Sequence, residues 1–115
     1  MICAFADQAK NIRNVMENND ALQVAPEVHT LLFENEKVRV LNVYLALGKM
    51  TDMHWHPENI SYIVRGGKMK ITKPAGAIIE VELTAGKVMA GAEGQHAVKN
   101  IGSSDIHTIQ VEFKK

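Results

Sequence analysis

Short runs in which apolar residues alternate with polar ones fill the chain from residue 28 onward and predict β-strands. In the longest run, KVRVLNVYLAL, both alternating sets are largely apolar, as expected for a strand between two sheets. Turn signals rich in glycine, proline and asparagine separate the runs at intervals of roughly ten residues. The predicted strands cover residues 28–35, 37–47, 60–64, 68–73, 78–83, 87–90, 95–100 and 107–113. With no helical crossover between them, these strands predict an all-β, antiparallel fold such as a jelly-roll barrel.

The segment before the strands has a different period. Its apolar residues recur every three or four positions, at Phe5, Ala9, Ile12 and Met16. This spacing predicts a short amphipathic helix over residues 5–16, which the turn-forming run ENND ends. We therefore expect residues 1–27 to form an N-terminal helix and arm, and residues 28–115 to form the barrel domain.

Length and charge narrow the class of protein. A chain of 115 residues is long enough for one hydrophobic core but too short for two. Thirteen basic and thirteen acidic residues give a formal net charge of zero, which argues against nucleic acid or an anionic membrane surface as a partner. The single cysteine, Cys3, excludes an intramolecular disulfide. Together with a start that lacks the order of a secretion signal, it predicts a cytoplasmic protein.

The stretch MHWHPEN carries the most specific chemistry. His54 and His56 are two residues apart, so an extended backbone points both imidazoles to the same side. Neutral imidazole is a good ligand for zinc, iron, nickel, copper and manganese. Taken alone, such a pair is more often two exposed polar residues beside a proline turn than a metal site.

Glycines and a third histidine extend this pattern. Gly48 precedes His54 by six residues, and Gly66 closes the following strand. A later glycine-led block, GKVMAGAEGQHAVKN, carries His96 and Asn100. In order and spacing, the two blocks resemble the two motifs of the cupin superfamily, with alanine in the usual proline position and one residue fewer before the second histidine. The resemblance covers roughly residues 37–113.

The resemblance implies a double-stranded β-helix, or cupin barrel, holding one divalent transition metal such as iron, zinc, manganese or nickel. By position, His54, His56 and His96 are the implied imidazole ligands. The cupin glutamate position falls on Asn59, whereas the nearby carboxylate is that of Glu58. Either residue is a candidate fourth ligand, with Glu58 preferred because an anion stabilises a divalent ion among neutral imidazoles.

Several other residues are candidates for the pocket. Tyr62, Arg65 and Lys70 lie on or near strands that would line it and could orient an anionic substrate, although alternating charged residues are more often solvated. Tyr62 and Glu112 are the candidate catalytic proton-transfer groups if they point inward. On the last strand, Ile109, Val111 and Phe113 are expected to face the core. His29 and His107, outside both motifs, are expected at the surface or at strand ends.

Two functions are consistent with these residues. The first is a small metal-dependent enzyme of the dioxygenase, isomerase or lyase type, acting on a small organic acid, sugar derivative or phenolic compound. The alternative is a non-catalytic cupin that binds or senses a small ligand. Small cupins usually pair through their sheets, so the resemblance also implies a homodimer.

Overall fold

The computed structural model describes residues 19–115, which form two antiparallel β-sheets and one turn of helix. The helix, α1, spans Ala21–Val24. The strands in this part of the chain are β1 (His29–Glu34), β2 (Val38–Leu45), β3 (His54–His56), β4 (Asn59–Arg65), β5 (Gly67–Thr72), β6 (Ile78–Leu83), β7 (Val88–Gly91), β8 (Gly94–Asn100) and β9 (Ile106–Phe113).

The strands form a five-stranded sheet of order β1-β2-β9-β4-β7 and a four-stranded sheet of order β3-β8-β5-β6. Every ladder between these strands is antiparallel. The predicted all-β, jelly-roll architecture is thus confirmed. The structure adds one strand to the predicted set, because MHWHPEN itself forms the short strand β3 and pairs with β8.

The N-terminal side of the barrel is tied to β3. Asp20 caps α1, since its carboxylate accepts a hydrogen bond from the Leu22 backbone N–H at 3.0 Å. The Trp55 N–H donates to the Asn19 carbonyl at 2.6 Å, so this segment lies directly against β3. The helix predicted over residues 5–16 lies outside the described residues, and the division at residue 27 stays a prediction. Within residues 19–115, no helix is long and apolar enough to cross a membrane.

A hydrophobic cluster joins the two sheets. Its buried members are Ala25, Val28, Leu45, Ile63, Leu83, Val98 and Ile106. Burying such side chains contributes about 1.5–3 kcal/mol each relative to leaving them exposed. Side chains from both sheets meet here, so this cluster holds the barrel closed.

The prediction for the last strand is wrong. Ile106, Thr108, Gln110 and Glu112 are buried, while the set that contains Ile109, Val111 and Phe113 is only partly buried on the opposite face. The polar residues face inward because the interior offers them partners, such as Arg39 for Glu112. Strand β2 departs from expectation in the same way: Leu41 and Leu45 are buried, but Tyr44 on its other face is 40% exposed.

Candidate metal centre

Three strands bring four histidines together inside the barrel. On β3, His54 and His56 point inward on either side of half-buried Trp55. His96 lies opposite His54 in the β3–β8 ladder. His29, the first residue of β1, enters from the other sheet and is 4% exposed. His29 was predicted to lie at the surface or at a strand end. It does begin a strand, but it is buried, so the prediction of a surface position is wrong.

The four rings pack edge to face. Ring centroids are separated by 5.0 Å for His29 and His54, 4.8 Å for His54 and His56, and 4.8 Å for His54 and His96. His29, His54 and His56 each offer one nitrogen, and these nitrogens all lie within 4.8 Å of one another. Rings this close and this buried form a compact group of nitrogen donors.

Hydrogen bonds fix which nitrogen carries the proton in the rings of His29 and His54. The Nδ1 atom of His29 lies 3.1 Å from the Ala25 carbonyl oxygen, and that of His54 lies 2.8 Å from the Asp52 carbonyl oxygen. Because a carbonyl only accepts, both Nδ1 atoms must donate, which leaves the lone pairs on Nε2. The His54 Nε2 atom is buried and has no hydrogen-bond partner among the described residues. An unpaired acceptor in this position fits a metal ligand.

Burial also keeps these rings uncharged. Desolvation lowers the pKa of His29 to about 4 and those of His56 and His96 to about 3, with neighbouring imidazoles adding to each effect. The pKa of His54 is lowered as well, chiefly by burial. Neutral imidazole is the form that binds a metal ion. The donor set therefore suits a transition metal.

A network of charged side chains contacts the Nδ1 atom of His56. The His56 Nδ1 atom lies 2.5 Å from Glu112 Oε2, and the Arg39 guanidinium contacts Glu112 Oε1 at 2.6 Å. A second contact of Arg39, at 2.6 Å, reaches Asp20 Oδ1. Burial raises the pKa of Glu112, and the permanent charge of Arg39 opposes that rise. Glu112 thus holds the Nδ1 proton of His56 and directs its Nε2 lone pair away from the network.

A cavity of about 350 Å³ adjoins the histidines. Residues from all nine strands line it, with aliphatic side chains and methionines over most of its surface. Met69 and Met89 belong to this apolar lining. The space is large enough for a small organic molecule placed against the imidazoles.

Comparison with known proteins identifies the fold. A cupin domain from Bordetella pertussis Tohama I has 24% sequence identity to the chain and a TM-score of 0.70, covering 76% of this chain and 93% of that domain. The chain has a cupin fold. An RmlC-like cupin from Methanocaldococcus jannaschii with a double-stranded β-helix fold gives a TM-score of 0.60 at 18% identity, over 75% of this chain and 78% of that one. A cupin superfamily protein from Desulfitobacterium hafniense gives 0.57 at 17% identity, over 76% of each chain.

Sequence comparison adds nothing to this assignment. No family model matches the chain, and no curated protein is similar enough in sequence to count as a relative. The cupin assignment is therefore one of fold, and the chemistry has to be argued from the residues inside the barrel.

The position of the cupin glutamate carries no carboxylate in this barrel. Asn59 faces inward and is 7% exposed, and its side chain fits against Gly91, where a Cβ atom would come within 2.9 Å of Asn59 Oδ1. Glu58, the residue before Asn59, is exposed. The structure therefore brings His54, His56 and His96 together and leaves Glu58 apart from them. His29, from outside both motifs, adds the further nitrogen.

The remaining sequence candidates lie elsewhere. Tyr62 is 50% exposed because Ser61 and Ile63, its neighbours on β4, face inward. Neither Tyr62, Arg65 nor Lys70 lines the cavity. Glu112 is fully buried, as its candidate role requires, but it contacts His56 instead of the cavity. Tyr62 therefore lies on the outer face of its sheet, and Glu112 contacts the Nδ1 atom of His56 and does not line the cavity.

Sequence reasoning missed His29, Arg39 and Asp20. His29 offered one weak signal, since it lies in a predicted strand and begins the run HTLLF, in which the last three residues are apolar. Arg39 and Asp20 offered none, because Asp20 pairs with Arg39, and Arg39 pairs in turn with Glu112, which is 73 residues further along the chain.

Proposed function

We propose that this cupin binds one divalent transition metal, such as iron, zinc, manganese or nickel, through the Nε2 atoms of His29, His54, His56 and His96. The observation that carries the proposal is the buried, unpaired Nε2 of His54 among neighbouring imidazoles whose Nδ1 protons are already donated. In such a site the ion supplies Lewis-acid chemistry, or oxygen chemistry if it is iron. Asn59, and less readily the exposed Glu58, remain candidates for a further oxygen ligand.

We further propose that the protein is a metal-dependent enzyme of the dioxygenase, isomerase or lyase type. The cavity beside the histidines supports this proposal, because it would hold a small organic substrate against the ion. Glu112 keeps His56 in the required tautomer. We assign proton transfer to neither sequence candidate, because Tyr62 faces outward and Glu112 contacts His56 without lining the cavity.

One observation favours the alternative, a non-catalytic cupin that binds a small ligand. Apart from the histidines, the titratable side chains among the described cavity-lining residues are Lys73 and Glu93, and both are exposed. A pocket without a buried acid or base beside the histidines suits binding as well as metal-centred chemistry.

Elemental analysis of untagged protein tests the metal site. The wild type should contain or take up about one equivalent of a transition metal, and His54→Ala should lose it. His107→Ala is the matched control, because His107 lies on the outer face of β9 beside Tyr44, with ring centroids 5.5 Å apart. Equal metal content in all three proteins, or none in the wild type after supply, would refute the site.

Turnover separates the enzyme from the binding module. The wild type loaded with metal, and the His54→Ala variant treated in the same way, would each be incubated with small hydroxylated and carboxylated compounds. The reactions would be run under air and under argon, and the products would be analysed by mass spectrometry. A product formed by the wild type alone supports the enzyme, and its dependence on air distinguishes a dioxygenase from an isomerase or lyase. Compounds that bind but stay unchanged support the alternative.

We also infer a homodimer that pairs through the outer face of the five-stranded sheet. A row of apolar residues in register crosses that face: Phe33, Val40, Val111, Ile60 and Ala90. Phe33 is 53% exposed, Ile60 39% and the adjacent Tyr62 50%. Five strands spaced by about 4.8 Å make this apolar row roughly 20 Å long, which a second copy of the same face could cover.

Sedimentation at micromolar concentration tests the dimer. The wild type should have twice the monomer mass, and Ile60→Glu should be monomeric because it places a charge in the row. Ile79→Glu, at a 47% exposed position on the other sheet, is the control and should stay dimeric. A monomeric wild type would contradict the inference. A cytoplasmic location stays a prediction from the single cysteine.

A further inference from the structure

One wall of the cavity differs from the rest of its lining. Apolar atoms make up most of the cavity surface, but a strip on the adjacent strands β4 and β9 is polar and uncharged. This neutral strip consists of Asn59, Ser61, Thr108 and Gln110. All four residues are at least 93% buried, and Ser61 and Gln110 lie directly opposite each other in the ladder. Buried polar groups gathered on one wall of an apolar cavity are the usual means of orienting a ligand.

The hydrogen bonds of the strip determine the orientation of its two amides. The Pro57 carbonyl only accepts, so the Asn59 group 2.8 Å away must be its NH₂. The Asn59 oxygen then faces Gln110, at 3.1 Å, and requires the NH₂ group of Gln110 on that side. The last group in this series of hydrogen bonds is consequently Gln110 Oε1. It is buried and has no hydrogen-bond partner among residues 19–115.

Charge limits what the strip can recognise. Besides the histidines, the charged residues among those lining the cavity are Lys73 and Glu93, and both are exposed at its edge. Glu93 is also paired with Lys115 at 3.1 Å. A carboxylate placed against the strip would meet the free acceptor of Gln110 with no buried cation beside it, which is unfavourable. A group that contacts Gln110 Oε1 must therefore donate a hydrogen bond, which an ionised carboxylate cannot do.

We propose that the neutral strip is a specificity site for a hydroxyl group on a small, mainly apolar molecule, with Gln110 Oε1 as the acceptor. The inference rests on the proposed function in one respect: the same cavity places that molecule beside the histidines. It narrows the substrate class from organic acids, sugar derivatives and phenolic compounds to those with an apolar body and a neutral hydroxyl.

Three probes of similar size test the strip: phenol, anisole and benzoate. Anisole has the same ring but no donor, and benzoate replaces the donor with a charge. The full-length protein, with and without one equivalent of Zn²⁺, would be titrated with each probe and followed by ¹H–¹⁵N NMR. Phenol should bind at least about fivefold more tightly than anisole in the metal-free protein, as one net hydrogen bond predicts. Benzoate should bind more weakly than phenol there, and the phenol shifts should include Ser61, Thr108 and Gln110.

A substitution assigns the preference to Gln110. Gln110→Met keeps the length of the side chain and removes the acceptor, so phenol and anisole should bind with about equal affinity. Gln95→Met is the matched control, because Gln95 also lines the cavity but is exposed. The control should keep the preference of the wild type.

The outcomes separate this inference from the metal site. If wild type binds anisole as tightly as phenol, the specificity site is refuted without any variant. The same conclusion follows if folded Gln110→Met keeps the preference. In both cases metal content, measured on the same samples, can still support the metal centre. If wild type takes up no metal but Gln110→Met loses the preference for phenol, the metal proposal fails and the specificity site stands.

Discussion

Two groups of buried or partly buried side chains share the interior of this barrel and differ in what they contribute. The hydrophobic cluster around Leu45 and Ile63 joins the sheets by burying apolar surface. The polar group, comprising the four histidines, Glu112, Arg39, Asp20, Asn59 and Gln110, gains little from burial because each member must be desolvated. Among the described residues, eleven buried residues are polar and nine are hydrophobic. Some of these polar residues support the fold, since Thr51 and Asn100 bond backbone groups of the barrel. The histidines, Asn59 and Gln110 line the cavity, so we attribute their burial to the site.

The comparison predicts, first, that acid destabilises the metal-free protein through its histidines. Their pKa values are about 4 for His29 and about 3 for His56 and His96 in the folded protein, below the ordinary 6.5. Above pH 6.5 neither state is protonated at these rings, and stability is unaffected. As the pH falls from 6.5 toward 4, the unfolded state alone takes up protons. Each ring then lowers the free energy of unfolding by about 1.4 kcal/mol per pH unit.

Urea unfolding at several pH values between 7.5 and 4.5 measures this effect. His107→Ala should follow the wild type, because His107 is outside the buried group. A free energy of unfolding that stays constant from pH 7 to pH 5 would contradict the neutral, buried state of the rings.

The second prediction concerns the hydrophobic cluster. Ile63→Ala should lower the free energy of unfolding by about 3 kcal/mol, because it leaves a cavity at a side chain that is 2% exposed. Metal content should be unchanged at temperatures where the variant is folded. Chemical denaturation and elemental analysis of one sample test both parts. Loss of metal from the folded variant would mean that the two groups are not independent.

Third, Glu112→Gln should weaken metal binding without abolishing it. The amide can still accept from His56, but it removes the charge that pairs with Arg39 and holds the His56 tautomer. Loss of such support typically costs 10–100-fold in metal affinity. Competition with a chelator measures the change, and Glu80→Gln, at an exposed pair with Lys68, is the control. Equal affinities in the three proteins would show that Glu112 does not position His56.

The fourth prediction is the smallest, and it is a gain in stability where the others are losses of stability or metal affinity. His54→Leu should raise the free energy of unfolding of the metal-free protein by about 1 kcal/mol, since it removes a buried nitrogen that has no partner among the described residues. Thermal unfolding after chelator treatment measures it. A less stable variant would mean that His54 contributes to folding, which would weaken the contrast between the two groups.

Much of the fold was predictable because it depends on local periodicity. Alternation and turn residues located most of the strands, and the spacing of Gly48, His54 and His96 indicated the cupin barrel. Alternation does not say which face is buried, however. On β9 the apolar set looked like the core, and only the positions of Arg39 and His56 explain why Gln110 and Glu112 face inward.

The site was predictable only in part, for a related reason. His54, His56 and His96 lie in motifs, so their convergence follows from the fold that the motifs indicate. His29 approaches His54 from the other sheet, and the contact depends on how the sheets pack, which no local pattern encodes. Glu58 and Asn59 are adjacent, so which of the two side chains faces the interior depended on a one-residue register that alternation does not give.

The most direct test of the metal centre is anomalous diffraction from a crystal of the wild type grown with zinc, recorded on both sides of the zinc edge. We predict one strong anomalous peak inside the barrel, about 2.1 Å from the Nε2 atoms of His29, His54, His56 and His96. A map with no peak among these rings, or with peaks only at surface carboxylates, would contradict the account.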